Sequence, residues 1–227
     1  MSAPASVTPD ALSWIWLLFN GQHPDRQSIE SLLDQYQPLA RVYMAESDEH
    51  SHRARQWTRD PLEQLPSGRV AVIAKEALDT SFINTMNALT GTTAYQCQVR
   101  TPKALPLAPK QRYEGTLQLC CFRRLAGLSD DDLATAWLQR HTAVALETQS
   151  TEGYRQHWVN SHPALGFDGI VEEYFPESAA ESVAHFFNAV GDREKLKQHI
   201  NSMTASTSRF IDLEQSEVIH LTDTRLH

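Results

Sequence analysis

The chain has 227 residues and a formal net charge of −8. That length allows one large or two small domains with enough apolar residues for a full core. The acidic balance argues against nucleic acid or an anionic membrane as partner.

Residues 1–13 read as a short lead. The run WIWLLF at 14–19 is far too short to span a bilayer and lacks a basic segment before it, so it reads as a buried strand of a cytoplasmic protein. A helix over 27–36 and a strand over 40–46 follow. Residues 47–66 read as a charged loop carrying His50 and His52. A strand over 69–77, a helix over 80–89 stopped by Gly91 and a strand over 93–99 complete the first half. Pro102, Pro106 and Pro109 mark 101–112 as a linker. The expected division is therefore an N-terminal half at 1–100, the linker, and a C-terminal half at 113–227. The second half repeats the order: strand 115–122, helix 130–146, strand 154–159, turn 160–168, strand 169–175, helices 178–190 and 192–209, and strand 216–222. The halves are alike in element order and not in residue identity.

Three cysteines cannot all pair with one another, and Cys97, Cys120 and Cys121 lack the spacing of a metal site; they read as reduced core residues. Cys120 and Cys121 fall on opposite faces of a strand, which disfavours a bond between them.

In the 130–146 helix, Ser129 can cap the open N–H groups, and Asp130, Asp131 and Asp132 suit the positive end of the dipole. Leu133, Trp137, His141 and Val144 recur on one helical face, so His141 shares an inward face with Trp137. In the next strand His157 lies with Arg155 and Val159, opposite to Tyr154, Gln156 and Trp158. Glu172 and Glu173 point to opposite faces, so only one of them can meet His157, and the turn's register leaves open which.

Gly127-Leu128-Ser129, Trp137, Arg140-His141, Tyr154-Arg155-Gln156-His157, Phe167-Asp168-Gly169 and Glu172-Glu173-Tyr174-Phe175 occur in this order over about residues 113–226. Together they resemble the EthD family, a branch of the dimeric α/β-barrel proteins. The resemblance implies an α+β fold in which two ferredoxin-like βαββαβ units form a single-chain dimeric α/β-barrel-like structure. Such a tandem duplication gives each half a partner, which suits apolar runs such as WIWLLF, VAVIA and LQLCCF that need burial on both faces. It also places His141 at the histidine of the family's W-x-x-x-H helix.

His141 and His157 are the candidate catalytic residues, with Trp137, Tyr154, Trp158, Glu172 and Glu173 as candidate substrate-binding residues. A His–Glu pair in an apolar cavity is a proton-transfer unit, the carboxylate orienting the imidazole and raising its pKa. Each has a plainer reading: His141 as a hydrogen-bonded core histidine, His157 as a sheet residue paired with a carboxylate. If Trp137 and His141 look onto the Tyr154 side, His157 belongs to the barrel interior and His141 is the better acid/base. Asp168 reads as a turn residue. His50 and His52 belong to a charged loop rather than a metal site, His162 to a turn, and His185 and His199 to solvent-facing helix sides.

There is no Gly-rich phosphate loop, no G-x-S-x-G and no H-E-x-x-H. No metal or cofactor is expected, and the expected partner is a small hydrophobic molecule; a homodimer of such chains stays open. Three function classes remain. The first, implied by the resemblance, is a cofactor-independent enzyme (dehydratase, decarboxylase, isomerase or monooxygenase) acting on an aromatic or polyketide-like compound. The second is a non-catalytic ligand-binding or accessory protein. The third is a haem-binding barrel with His141 or His157 as axial ligand.

Overall fold

Apolar runs become strands, and the strands close on themselves. The computed structural model describes residues 9–19, 23–63, 65–161 and 166–227. The first part of the chain forms β1 (Ala11–Leu18), α1 (Arg26–Tyr36), β2 (Ala40–Glu46), a 3₁₀ helix (Ser51–Trp57), β3 (Gly68–Ala74), α2 (Thr80–Thr90) and β4 (Tyr95–Lys103). The second part starts with β5 (Thr116–Arg124). Then α3 (Asp130–Leu133) runs through a π-helical segment (Ala134–His141) into α4 (Thr142–Thr148). It continues as β6 (Gly153–Ser161), β7 (Gly169–Phe175), α5 (Glu177–Glu181), α6 (Val183–Phe186), α7 (Arg193–Thr207) and β8 (Ile211–Arg225).

Side-chain caps start several of these helices. Asp25 accepts from the Ser28 N–H, Asp79 from those of Ser81 and Phe82, Ser129 from that of Asp132, and Asp192 from that of Lys195. Each satisfies donors that a helix start leaves open. Gly91 ends α2 at φ 68, the left-handed conformation that glycine adopts without strain.

The fold is mixed α+β. Among the described residues the strands form one closed barrel in the order β1-β3-β2-β8-β5-β7-β6-β4, and every neighbouring pair is antiparallel. The seams between the two parts of the chain are β2 against β8 and β4 against β6. Closure leaves no strand edge unpaired. Both faces of the wall are covered. Ile15, Leu17, Leu117, Leu119, Ile170 and Leu221 pack inside the barrel. Outside, Trp16, Val70 and Val72 pack with α1 and α2 residues such as Leu32 and Phe82, while Phe122, Trp158 and Val171 pack with Trp137 and Phe210.

Several boundaries differ from the sequence expectation. β4 runs to Lys103, so the stretch expected as linker begins inside a strand. Pro102 is tolerated because the pairing with β6 shifts register between Arg100 and Lys103. The charged loop holds a 3₁₀ helix, started where the Asp48 carboxylate accepts from the Ser51 N–H at 2.8 Å. β3 stops at Ala74, and β8 is 15 residues long, reaching well beyond the expected 216–222 at both ends. The expected 178–190 helix is broken at Ser182, which is extended (φ −129, ψ 117). In the 130–146 helix, Ala145 is buried and Val144 only half-buried, because the π-helical segment shifts the inward face.

His199 is half-buried rather than solvent-facing, its Nδ1 lying 2.6 Å from the Phe187 carbonyl and 2.9 Å from that of Thr148. Cys97 and Cys121 are buried, Cys120 is half-buried, and all three are free thiols. Residues 1–8 of the lead and His162 lie outside the described residues. Among the described residues, no helix is long and apolar enough to cross a membrane, and no cluster of His, Cys, Asp and Glu could hold a metal ion.

Candidate active site

Period-2 alternation splits the candidate residues between the two faces of the barrel wall. Gln118, Glu173 and Tyr154 are directly paired across β5, β7 and β6, so their side chains form one row on the outer face. The π-helical segment and α7 cover that row. Between helices and sheet lies a cavity of about 160 Å³ whose lining includes Trp137, His141, Tyr154, Glu173, Gln118 and Phe210.

The π-helical segment places the two helical residues. Its wider turns let Trp137 and His141, four apart, both face the sheet, and such segments are frequent at functional sites. Thr142 holds the local geometry: its hydroxyl donates to the Leu138 carbonyl at 3.0 Å and accepts from Gln156 Nε2 at 3.0 Å. The Trp137 indole is fully buried. It meets Phe122 edge-on at 4.7 Å and stacks with Trp158 and Phe210 at 6.2 and 6.4 Å. Gly169 makes room for this ring. A Cβ there would stand 2.4 Å from the Phe122 ring and 2.7 Å from the Trp137 ring.

The electrostatics of the cavity follow from burial. Glu173 is 5% exposed, and burial pushes its carboxyl up to about 8. Its Oε2 lies at the 3.5 Å limit from Gln118 Nε2, and its Oε1 has no hydrogen-bond partner. At neutral pH it is therefore a protonated acid. Burial lowers His141 to about 4, so it is a neutral imidazole, and its Nδ1 lies 2.9 Å from Ser206 Oγ of α7. That engagement leaves Nε2 for a ligand. Burial raises the Tyr154 phenol, whose oxygen accepts from Gln156 Nε2 at 3.0 Å, and pushes the Cys120 thiol up to about 12.

His157 and Glu172 point into the barrel instead. Arg69 Nε lies 2.6 Å and Arg155 Nε 2.7 Å from the Glu172 carboxylate, as ion pairs whose N–H vectors, at Arg69, miss hydrogen-bond alignment. Arg69 also donates to Asp223 at 2.9 Å, the Tyr174 hydroxyl donates to Asp223 at 2.6 Å, and Arg155 lies over the Tyr43 ring at 4.1 Å. His157 is fully buried, with Nε2 3.4 Å from Glu172 and Nδ1 2.8 Å from Ser13 Oγ. Glu172, then, is the glutamate that shares a face with His157. The expected rise in the His157 pKa does not occur. Burial lowers it and outweighs Glu172, and Arg155 and Arg69 act in the same direction.

The cavity thus brings together Trp137, His141, Tyr154 and Glu173, and leaves out His157, Glu172 and Trp158; Trp158 serves as a stacking partner of Trp137. Sequence reasoning missed Gln118, Cys120, Gln149 and Ser206. Alternation in LQLCCF puts Gln118 and Cys120 on one face and could have marked them. Ser206 carried no signal, being 65 residues from His141. Asp168 holds Arg124 at 2.7 Å and stays outside the site.

Among the described residues, no space of haem size adjoins either histidine. His157 is fully buried in the barrel interior, its Nδ1 against Ser13 Oγ and its Nε2 3.4 Å from Glu172. The cavity at His141, about 160 Å³, is below the roughly 300–1,000 Å³ that ligands of drug size occupy.

No model of a known protein family and no curated protein matches this chain. Among solved structures it is similar to an anthrone oxidase-like protein, with 7% identity and a TM-score of 0.49 over 96% of this chain and 91% of that one. It is also similar to a protein of Fusobacterium nucleatum subsp. nucleatum designated a monooxygenase, with 8% identity and a TM-score of 0.43 over 96% and 92% of the two chains. A mutant chlorite dismutase from Candidatus Nitrospira defluvii is similar at 11% identity and a TM-score of 0.46, over 96% and 92%.

Proposed function

We propose that this chain is a single-chain dimeric α/β-barrel protein of EthD type that performs acid/base chemistry on a small hydrophobic compound without a nucleotide cofactor. Strand order supports the two-unit reading. β4-β1-β3-β2 and β8-β5-β7-β6 are the same arrangement of fourth, first, third and second strands, each with helices after its first and third strands.

One observation carries the catalytic reading: a neutral imidazole and a protonated carboxyl line the same apolar cavity. Two groups whose environments push their pKa values in opposite directions are suited to paired acid and base roles. His141 Nε2 removes a proton from a carbon next to a carbonyl. The C–H electron pair becomes the new C=C bond, and the carbonyl oxygen takes the Glu173 proton. The product is an enol, the common first step of isomerisations and dehydrations. Tyr154 and Gln118 flank the carboxyl, and Trp137 and Phe210 supply aromatic lining. A cavity near 150 Å³ holds one benzene-sized ring, so the substrate fits as a single ring rather than a fused polycycle.

The test is deuterium exchange at the α-carbons of cyclohexanone, followed by NMR in D₂O. The protein should accelerate exchange, and His141→Gln and Glu173→Gln should each lower the rate by about 10²–10⁴-fold. Full exchange activity in His141→Gln removes the acid/base reading. A panel of ring-sized ketones that are bound but never exchanged would place the chain among ligand-binding proteins.

A further inference from the structure

The cavity wall carries no formal charge at neutral pH, although the barrel behind it is crowded with charge. Four titratable side chains belong to the lining: Cys120, His141, Tyr154 and Glu173. Burial holds all four in their uncharged forms. Among the described residues, no lysine or arginine lines the space. The nearby guanidinium groups of Arg69 and Arg155 lie on the opposite face of the sheet and are committed to Glu172 and Asp223. An ion entering the cavity would lose its hydration and gain a counter-charge only by ionising Glu173 or protonating His141 against the burial that holds both neutral, which is unfavourable. An uncharged ring with a hydrogen-bonding substituent meets a different wall. The Glu173 O–H can donate to it, and Gln118, Gln149 and the Tyr154 hydroxyl offer further polar contacts around apolar surface from Trp137 and Phe210.

We infer that this cavity selects uncharged, single-ring compounds bearing a carbonyl or hydroxyl group, and refuses carboxylate and ammonium compounds of the same shape. This rests on the site proposed above and adds its selectivity. It makes the reaction one on a neutral ketone or phenol, and places decarboxylation of a free carboxylate outside the site's chemistry. A step upstream must then deliver the ring already stripped of, or never carrying, an ionised group.

The experiment compares three single-ring probes of similar size at about pH 6: benzamide, benzoate and benzylamine, the last as its ammonium ion. Affinity is read by ligand-observed NMR titration, and location by NOEs from the ring protons to the Trp137 indole. Benzamide should bind with NOEs to Trp137, and the two ions should bind at least tenfold more weakly. Benzoate or benzylammonium binding as tightly as benzamide with the same NOEs overturns the inference, as does an absence of benzamide binding at this site. Because the probes are not turned over, the result is separate from catalysis. Selective binding without cyclohexanone exchange discards the acid/base reading and keeps this one. Exchange that persists alongside tight benzoate binding does the reverse.

Discussion

Glu172 and Glu173 are consecutive in β7, lie on opposite faces of one strand and hold opposite charge states at neutral pH. Burial acts on both and favours the neutral acid. Inside the barrel, the guanidinium groups of Arg155 and Arg69 outweigh it and hold Glu172 below the usual carboxylate range. On the outer face Glu173 meets no cation among the described residues, and burial sets its state. The peptide unit between them thus separates a charged network that ties β3, β6, β7 and β8 together from an uncharged cavity.

The first prediction concerns stability and pH. The folded-state pKa of Glu173 is raised from 4.5 to about 8. Its contribution is therefore fully present below about 4.5 and lost as pH rises to about 8, on the order of 3–5 kcal/mol in all. Glu173→Gln has no such proton to lose. In urea unfolding the variant should gain on the wild type as pH goes from about 5 to about 9. An unchanged gap at the two pH values would mean that Glu173 is ionised in the native protein. His141 and His220 act on the other side. Burial lowers both to about 4, so their contribution is present above about 6.5 and lost as pH falls through 4.

Arg69 is the link between the first part of the chain and the charged side of the second, reaching from β3 to Glu172 in β7 and Asp223 in β8. Arg69→Met should destabilise by about 3–5 kcal/mol, because two carboxylates are left facing one guanidinium in a dry interior. Adding Glu172→Gln restores the charge balance, so the double variant should be more stable than Arg69→Met alone. Simple additivity in a double-mutant cycle would show that the groups do not act as a unit.

Gly169 lies beneath the Trp137 indole, and even a methyl group there collides with two rings. Gly169→Ala should cost about 1–3 kcal/mol through overpacking. It should also displace Trp137 and weaken benzamide binding. A variant with wild-type stability and unshifted Trp137 resonances would show that the rings move aside freely.

Much of this arrangement could be read from residue order, because period-2 alternation alone separates Tyr154 from His157 and Glu173 from Glu172. Helical spacing likewise put Trp137 and His141 together. What alternation cannot give is which face of a barrel is which, or which face a cavity adjoins. That depended on helices placed by contacts far apart in sequence, such as Ser206 to His141. The direction of the His157 pKa was misjudged for a related reason. A neighbouring glutamate and Arg155 on the same strand face were foreseeable, but Arg69 reaching in from β3, and full burial, were not.

The last prediction concerns which His141 nitrogen carries the proton. For Nε2 to accept a proton from a ligand it must be bare, so the hydrogen must sit on Nδ1 and be donated to Ser206 Oγ, the partner found at 2.9 Å. Ser206 is in this sense a positioning residue. Long-range ¹H–¹⁵N NMR of the imidazole should show the Nδ1–H tautomer, and titration should leave the ring neutral until pH falls to about 4. Ser206→Ala removes the acceptor and should shift the ring toward the Nε2–H tautomer. The cyclohexanone exchange rate at saturation should fall about tenfold, the apparent KM should change little, and Ser206→Thr should restore the rate. The net loss of stability from one such hydrogen bond is only about 1 kcal/mol, so the fold survives the test. An Nε2–H imidazole in the wild-type protein would turn His141 from a base into a donor, and the proton-abstraction step would then need another acceptor.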